Sequence, residues 1–261
     1  LFACSAFFAA RSTASVGPGR ATLARILIAT LLLGIWTLAA RCRLPLAAVG
    51  WLLLSGVVGM GLGDIAYFAG IPLVGGRLMT LLGQCLTAPI ALGLELAWLG
   101  VWPTQARAAC VAIILVGVAL SLASDPVGHD QPVPTRRRFA LGVFYGVVDA
   151  LGTALGAVLS RRALACLPAG APFEGGTTAW YRMVGGALVT LIVYRRLLTG
   201  WLALPRTRAT AASVGRRYRF TLANAVCGSV LGMAAMQTAL THVEAGVVMA
   251  VVATAPLGTM L

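Results

Sequence analysis

Nine apolar segments, each of about the length that crosses a bilayer, follow one another along this chain with few polar residues between them. They run over 1–17, 21–40, 46–70, 76–100, 106–123, 139–160, 178–198, 218–240 and 245–261. One crossing takes roughly 20 predominantly apolar residues, so the spans fill nearly all of the 261 residues. Charged residues make up only 10% of the chain, whereas a soluble domain carries about a quarter. So few charges cannot coat a globule of this size, and the 59% hydrophobic content excludes disorder as well. In lipid the backbone must satisfy its own hydrogen bonds, and no segment alternates as a barrel strand does. The expected fold class is therefore all-α, a polytopic membrane protein with the lipid bilayer as its first partner.

The charge balance, 20 basic against 7 acidic residues, first suggests a nucleic-acid binder. The basic residues are all arginine, however, and most flank apolar segments: Arg41 and Arg43, Arg136 to Arg138, Arg161 and Arg162, Arg195 and Arg196, Arg216 and Arg217. Arginines beside spans follow the positive-inside bias and meet anionic head groups. No polar face interleaves aromatic with basic residues as a nucleic-acid groove does, so no nucleic-acid partner is expected.

One polar, proline-rich stretch, Asp125 to Pro134, falls near the midpoint and reads as a linker. The two sides of it echo each other. Gly59-Met60-Gly61-Leu62-Gly63 followed by Thr87-Ala88-Pro89 returns as Gly228-Ser229-Val230-Leu231-Gly232 followed by Thr254-Ala255-Pro256. Arg25 enters one apolar segment and Arg182 the corresponding later one; Arg11 and Arg161 end the segments before them. The expected organisation is a first repeat over 1–124, a linker over 125–138 and a second repeat over 139–261. Internal symmetry of this kind is the usual plan of secondary transporters, whose substrate site lies where the repeats meet.

The order of these motifs resembles the EamA-type transporters of the drug/metabolite transporter superfamily. The resemblance rests on Leu23-Ala24-Arg25 opening the second helix and Gly61–Phe68 in the third. Thr87-Ala88-Pro89 follows in the fourth, then the turn 99–104 leading into Val111–Leu120, with their echoes at 238–246 and 254–256. It spans essentially the whole chain. It implies ten helices in two inverted five-helix repeats, transport rather than catalysis, and the bacterial plasma (inner) membrane. Leu1 lies inside an apolar stretch and 247–261 is a span in progress, so the expectation is a fragment with about nine helices, the first and ninth incomplete. Val101 stands where the family turn usually carries glutamate, so no role for an acid is carried over there. The family topology and the arginine distribution disagree on orientation, which is left open.

Candidate site residues are the polar groups inside spans, because a charge at the bilayer centre costs at least about 2.5–3.5 kcal/mol without a partner or a cavity. Asp64 is either a structural pair with Arg77 or a cavity residue; in a cavity it would bind a cation when ionised and release it when protonated. Gln84 sits at comparable depth on the returning helix. Asp149, on a glycine-rich helix, faces a packing interface or a cavity, and either Asp149 or Gln237 from the second half could complete a site with Asp64 and Gln84. Glu95 lies nearer a span end and is expected to snorkel. Arg25 and Arg182 read first as interfacial anchors with stems reaching water, and second as receptors for an anionic substrate group. The glycines at i, i+4 (Gly59/Gly63, Gly142/Gly146, Gly152/Gly156, Gly228/Gly232) read as close helix packing.

No nucleophile elbow, phosphate loop or His-Glu-x-x-His motif is present, and the six cysteines have no metal-ligand spacing. Neither catalytic residues, nor metal, nor cofactor is expected. An integral membrane enzyme would gather its acids and histidines, which this chain scatters; a purely structural membrane protein would lack Asp64, Gln84 and Asp149. The reading is a secondary transporter, an exporter or exchanger of a small-molecule substrate working by alternating access, with homodimerisation open.

Overall fold

A computed structural model of the chain describes residues 1–99, 105, 109, 112–113, 116–117, 135–168, 173–196, 211–243 and 245–253. The Asp125–Pro134 linker, most of the fifth apolar segment, the turn at 100–104 and Thr254-Ala255-Pro256 lie outside the described residues. The described residues hold helices and no strands. The helices are α1 (Phe2–Val16), α2 (Pro18–Ala40), α3 (Leu46–Ser55), α4 (Asp64–Leu99), α5 (Arg136–Ala165), α6 (Gly175–Val193), α7 (Ala211–Asn224), α8 (Met233–His242) and α9 (Ala245–Val252). Two π-helical segments, Gly56–Gly63 between α3 and α4 and Ala225–Gly232 between α7 and α8, continue the helices they join.

Four described helical stretches are long and apolar enough to cross a membrane: Pro18–Ala40, Leu46–Trp98, Arg136–Ala165 and Tyr218–His242. The second has 53 residues, about 80 Å at helical rise, more than twice a hydrocarbon core. Gly75 divides it. Its backbone, φ 83° and ψ 157°, is accessible essentially to glycine alone, and it turns the chain between the segments expected at 46–70 and 76–100. Gly17 has nearly the same conformation, φ 85° and ψ 157°, between α1 and α2, where Pro18 then starts the next helix as proline does at a first turn. One glycine therefore suffices for each turn.

The distribution of residues on α2 suits lipid. Its inward side carries Ala21, Thr22, Ala24, Arg25 and Ala29 together with Leu23, Ile26 and Leu33, while Leu31, Ile35 and Leu38 are exposed. Large apolar residues on the outer face depart from the polar outer face of a soluble helix, and the small residues inside let backbones approach as they do in membranes. A Cβ at Gly56 would run into the carbonyl of Arg182, and one at Gly185 into the carbonyl of Leu53. These contacts press α6 onto α3 and the first π segment. On the other side of that segment a Cβ at Gly152 would lie 2.9 Å from the Val58 carbonyl, so α5 is seated closely too, though less tightly than α6.

Helices from before and after the linker interleave. α5 packs on α3, the first π segment and α4; α6 packs on α2, α3 and the first π segment; α1 and α2 pack on α7 and the second π segment; α9 packs on α4. Short polar contacts join the partners: Ser12 Oγ and Thr221 Oγ1 at 2.6 Å, Ser5 Oγ donating to Asn224 Oδ1 at 2.6 Å, and Ser55 Oγ donating to the Gly156 carbonyl at 2.6 Å.

Gly75→Ala and Gly17→Ala should each cost about 1–3 kcal/mol, the strain of a non-glycine residue in that region. Gly50→Ala, inside α3 where a Cβ meets nothing within 4 Å, should be neutral or stabilise by up to about 1 kcal/mol. Denaturant unfolding in mixed micelles measures all three; an unchanged Gly75→Ala would refute the strain argument.

Candidate functional site

Arg25 is the eighth residue of α2 and only 7% exposed, although its position near a span end suggested an interfacial anchor. That expectation is corrected: the chain turns at Gly17 beneath it, and the surrounding helices cover it. Its Nη2 donates to Asp64 Oδ2 in an ion pair, its Nη1 donates to Ser229 Oγ at 2.6 Å, and its guanidinium lies 5.3 Å from the centre of the Phe68 ring. The pairing of Asp64 with Arg77 is likewise corrected. Arg77 is exposed, just beyond the Gly75 turn, whereas Asp64 is the first residue after the first π segment. The wider π turn alters the facing of the residues that follow it, and such segments gather at functional sites.

These groups border a partly open cavity of about 80 Å³, room for roughly five to eight waters. α1, α2, α4, α5, α6, α7, α8, α9 and both π segments contribute to its wall, so both sides of the linker form it. Asp64, Gln84, Asp149, Arg25 and Arg182 all line it. Gln237 does not: it is wholly buried on α8, with both amide atoms unpartnered, away from this lining. Asp149 is 5% exposed and is hydrogen-bonded by Thr153. Its carboxylate occupies the space that a Cβ at Gly83 would need. No described arginine lies within ion-pair distance of it.

Arg182 departs furthest from the anchor reading. It is fully buried, the largest such side chain among the described residues. Its Nη1 points at the thioether of Met233 at 3.3 Å, and its Nε and Nη2 have no hydrogen-bond partner. Gly59 and Gly156 make room for it: a Cβ on either would come within 3.3 and 3.0 Å of Nη2.

Glu95 does not snorkel. It is 1% exposed, accepts from the backbone N–H of Ala245 at 3.1 Å and of Gly246 at 3.3 Å, and takes Arg161 Nη1 at 2.6 Å. A carboxylate at a helix start meets free N–H groups and the positive end of the dipole, so Glu95 fastens α4 to α9 across 150 residues. Glu174 caps α6 similarly, accepting from Gly176 and Thr177 N–H at 3.0 and 2.6 Å and from Trp36 Nε1 at 2.9 Å. Sequence reasoning passed over Glu174, although an acid directly before Gly175-Gly176-Thr177 at the start of an apolar segment is a capping signal. Among the described residues no three histidine, cysteine or acidic side chains converge on a metal-sized site.

No family model matches the chain, and no curated protein matches it. A solved structure described as "Crystal structure of protein" is similar at 16% identity, with a TM-score of 0.63 over 98% of this chain and 83% of that one. At that identity the likeness concerns the fold alone.

Glu95→Ala removes the acceptor for two helix N–H groups and an arginine. It should cost about 2–4 kcal/mol, the range for charged hydrogen bonds and a broken buried pair, discounted because Arg161 is 30% exposed. Glu95→Gln, which keeps an acceptor, should recover part of this. Thermal unfolding of the purified variants measures the difference; equal stability of Glu95→Ala and wild type would remove Glu95 from the fold's supports.

Proposed function

We propose that the protein is a secondary transporter of the EamA type, moving a small-molecule substrate by alternating access between two inverted five-helix repeats. Its proposed setting is the bacterial plasma membrane. The observation that carries this reading is the cavity: a partly open chamber walled from both sides of the linker, bordered by two carboxylates and two guanidiniums inside an apolar helical bundle. Intramembrane ionisable groups are expensive and mark substrate or proton pathways, and a site between repeats near mid-membrane is the usual transporter plan.

Several correspondences support the repeat. Arg25 and Arg182 are each the eighth residue of α2 and α6. The π segments are each eight residues long and end in Gly63 and Gly232. Each is followed by a cavity residue, Asp64 in one case and Met233 in the other. Rocking one repeat against the other would open the cavity to either side in turn.

Asp64 is the proposed coupling residue. Ionised, it holds Arg25; protonated, it releases the guanidinium to another partner. One carboxylate then makes the occupancy of the cavity depend on pH, which is the least that proton-coupled transport requires.

Asp64→Asn keeps the size and an acceptor oxygen while removing the titration. The variant should reach the membrane at normal levels and, reconstituted in liposomes with a panel of amino acids, amines and small organic acids, show flux at least tenfold lower or insensitive to pH. Wild-type liposomes that move none of the panel solutes would count against transport. Normal, pH-dependent flux in Asp64→Asn would sink the coupling role.

A further inference from the structure

Two arginines hold matching places in the chain, and they are satisfied differently. Arg25, eighth in α2, meets the carboxylate of Asp64, the first residue after the first π segment. Arg182, eighth in α6, meets the thioether of Met233, the first residue after the second. A thioether is a weak acceptor and carries no charge. The second arginine is therefore fully buried and hydrogen-bonds to no carboxylate, while Asp64 is ion-paired with Arg25.

The geometry points to Arg182 as the receptor for the carboxylate of a small organic anion, so that the solute supplies what Met233 does not. This rests on reading the cavity as the substrate site, and it names the class of substrate.

The unpartnered atoms of the cavity agree. Among the residues that line it, the buried side-chain atoms without a hydrogen-bond partner are Arg25 Nε, Arg182 Nε, Arg182 Nη2 and Asn224 Nδ2. All four are donors and none is an acceptor. Unmet donors of this kind suit a ligand group that accepts, such as a carboxylate. A guanidinium edge presents parallel N–H groups that match the two oxygens of a carboxylate. Gly59 and Gly156 leave the room that Nη2 occupies, since a side chain at either position would crowd it. The chamber, at about 80 Å³, fits a solute of a few heavy atoms.

The probe is L-lactate, with L-lactamide as its uncharged counterpart of similar shape, titrated by calorimetry into the full chain in lipid nanodiscs. Lactate should bind the wild type at least tenfold more tightly than lactamide, and Arg182→Gln should abolish the difference. Met233→Asp recreates in the second half the pair that exists in the first. It should weaken lactate at least tenfold while the melting temperature stays level or rises, an outcome that general damage to the site would not produce.

Equal binding of lactate and lactamide, no lactate binding by the wild type, or wild-type affinity in Arg182→Gln would each overturn the assignment. So would wild-type affinity in a folded Met233→Asp; should that variant fail to fold, Arg182→Gln alone decides. Liposome flux separates this assignment from the transport reading. Lactate binding without flux of any panel solute would refute transport and leave the anion site standing. Flux of other solutes without lactate binding would do the reverse.

Discussion

The charges in the middle of this bundle set the terms for everything around them. An arginine or aspartate at membrane depth costs several kcal/mol unless it meets a partner or water, and four such groups border one cavity. Arg25 and Asp64 answer each other directly, and Ser229 takes a second edge of the guanidinium. Such a pair adds little net stability compared with well-packed apolar residues, yet losing one member leaves an uncompensated charge. The pair thus fixes how α2, α4 and the second π segment meet. Register, more than stability, is what it supplies.

Glycine makes that meeting possible. The first π segment receives α6 on one side and α5 on another, at distances where a single added carbon at Gly56 or Gly152 would collide with a backbone carbonyl. The same close approach brings the Arg182 side chain, which grows from α6, over Gly59 and Gly156 toward the cavity. Widening any of these contacts would move a guanidinium that has few partners to hold it. Packing and site are one arrangement, and the glycines at i, i+4 serve both.

The all-helical class was legible because hydrophobic length is a coarse signal that lipid makes decisive. The break between 70 and 76 follows from it, and the i, i+4 glycine spacing marked the close contacts at Gly59, Gly152 and Gly156. Asp64, Gln84 and Asp149 were found by asking which polar groups could not afford to face lipid, and all three border the cavity. Pairing was not legible. Arg77 is nearer to Asp64 in sequence than Arg25, but the turn at Gly75 carries it to the surface, and only the packing of α2 reveals the true partner. Glu95 misled for a related reason: distance from a span end says how far a side chain must reach for water, and nothing of a helix start 150 residues away that offers N–H groups instead. Both errors come from weighing a residue along the chain when its partner arrives through the fold.

The unequal treatment of the two arginines bears on how such a cavity can work. With Asp64 and Asp149 ionised, two carboxylates balance Arg25 and Arg182, so the cavity is formally neutral although Arg182 lacks a hydrogen-bonded counter-charge. In a low-dielectric interior a neutral chamber is cheaper to keep closed than a charged one. An entering anion would upset this balance unless a proton accompanied it onto one of the two carboxylates. Protonating Asp64 would also release Arg25, adding a second guanidinium to the side on which the unmet donors lie. A symmetric site, with an aspartate in place of Met233, would satisfy both arginines internally and leave an anion no donor to claim. On the proposed reading, the departure from symmetry at one residue would leave the chamber able to receive an anion, and the balance of the remaining charges would tie that anion to a proton.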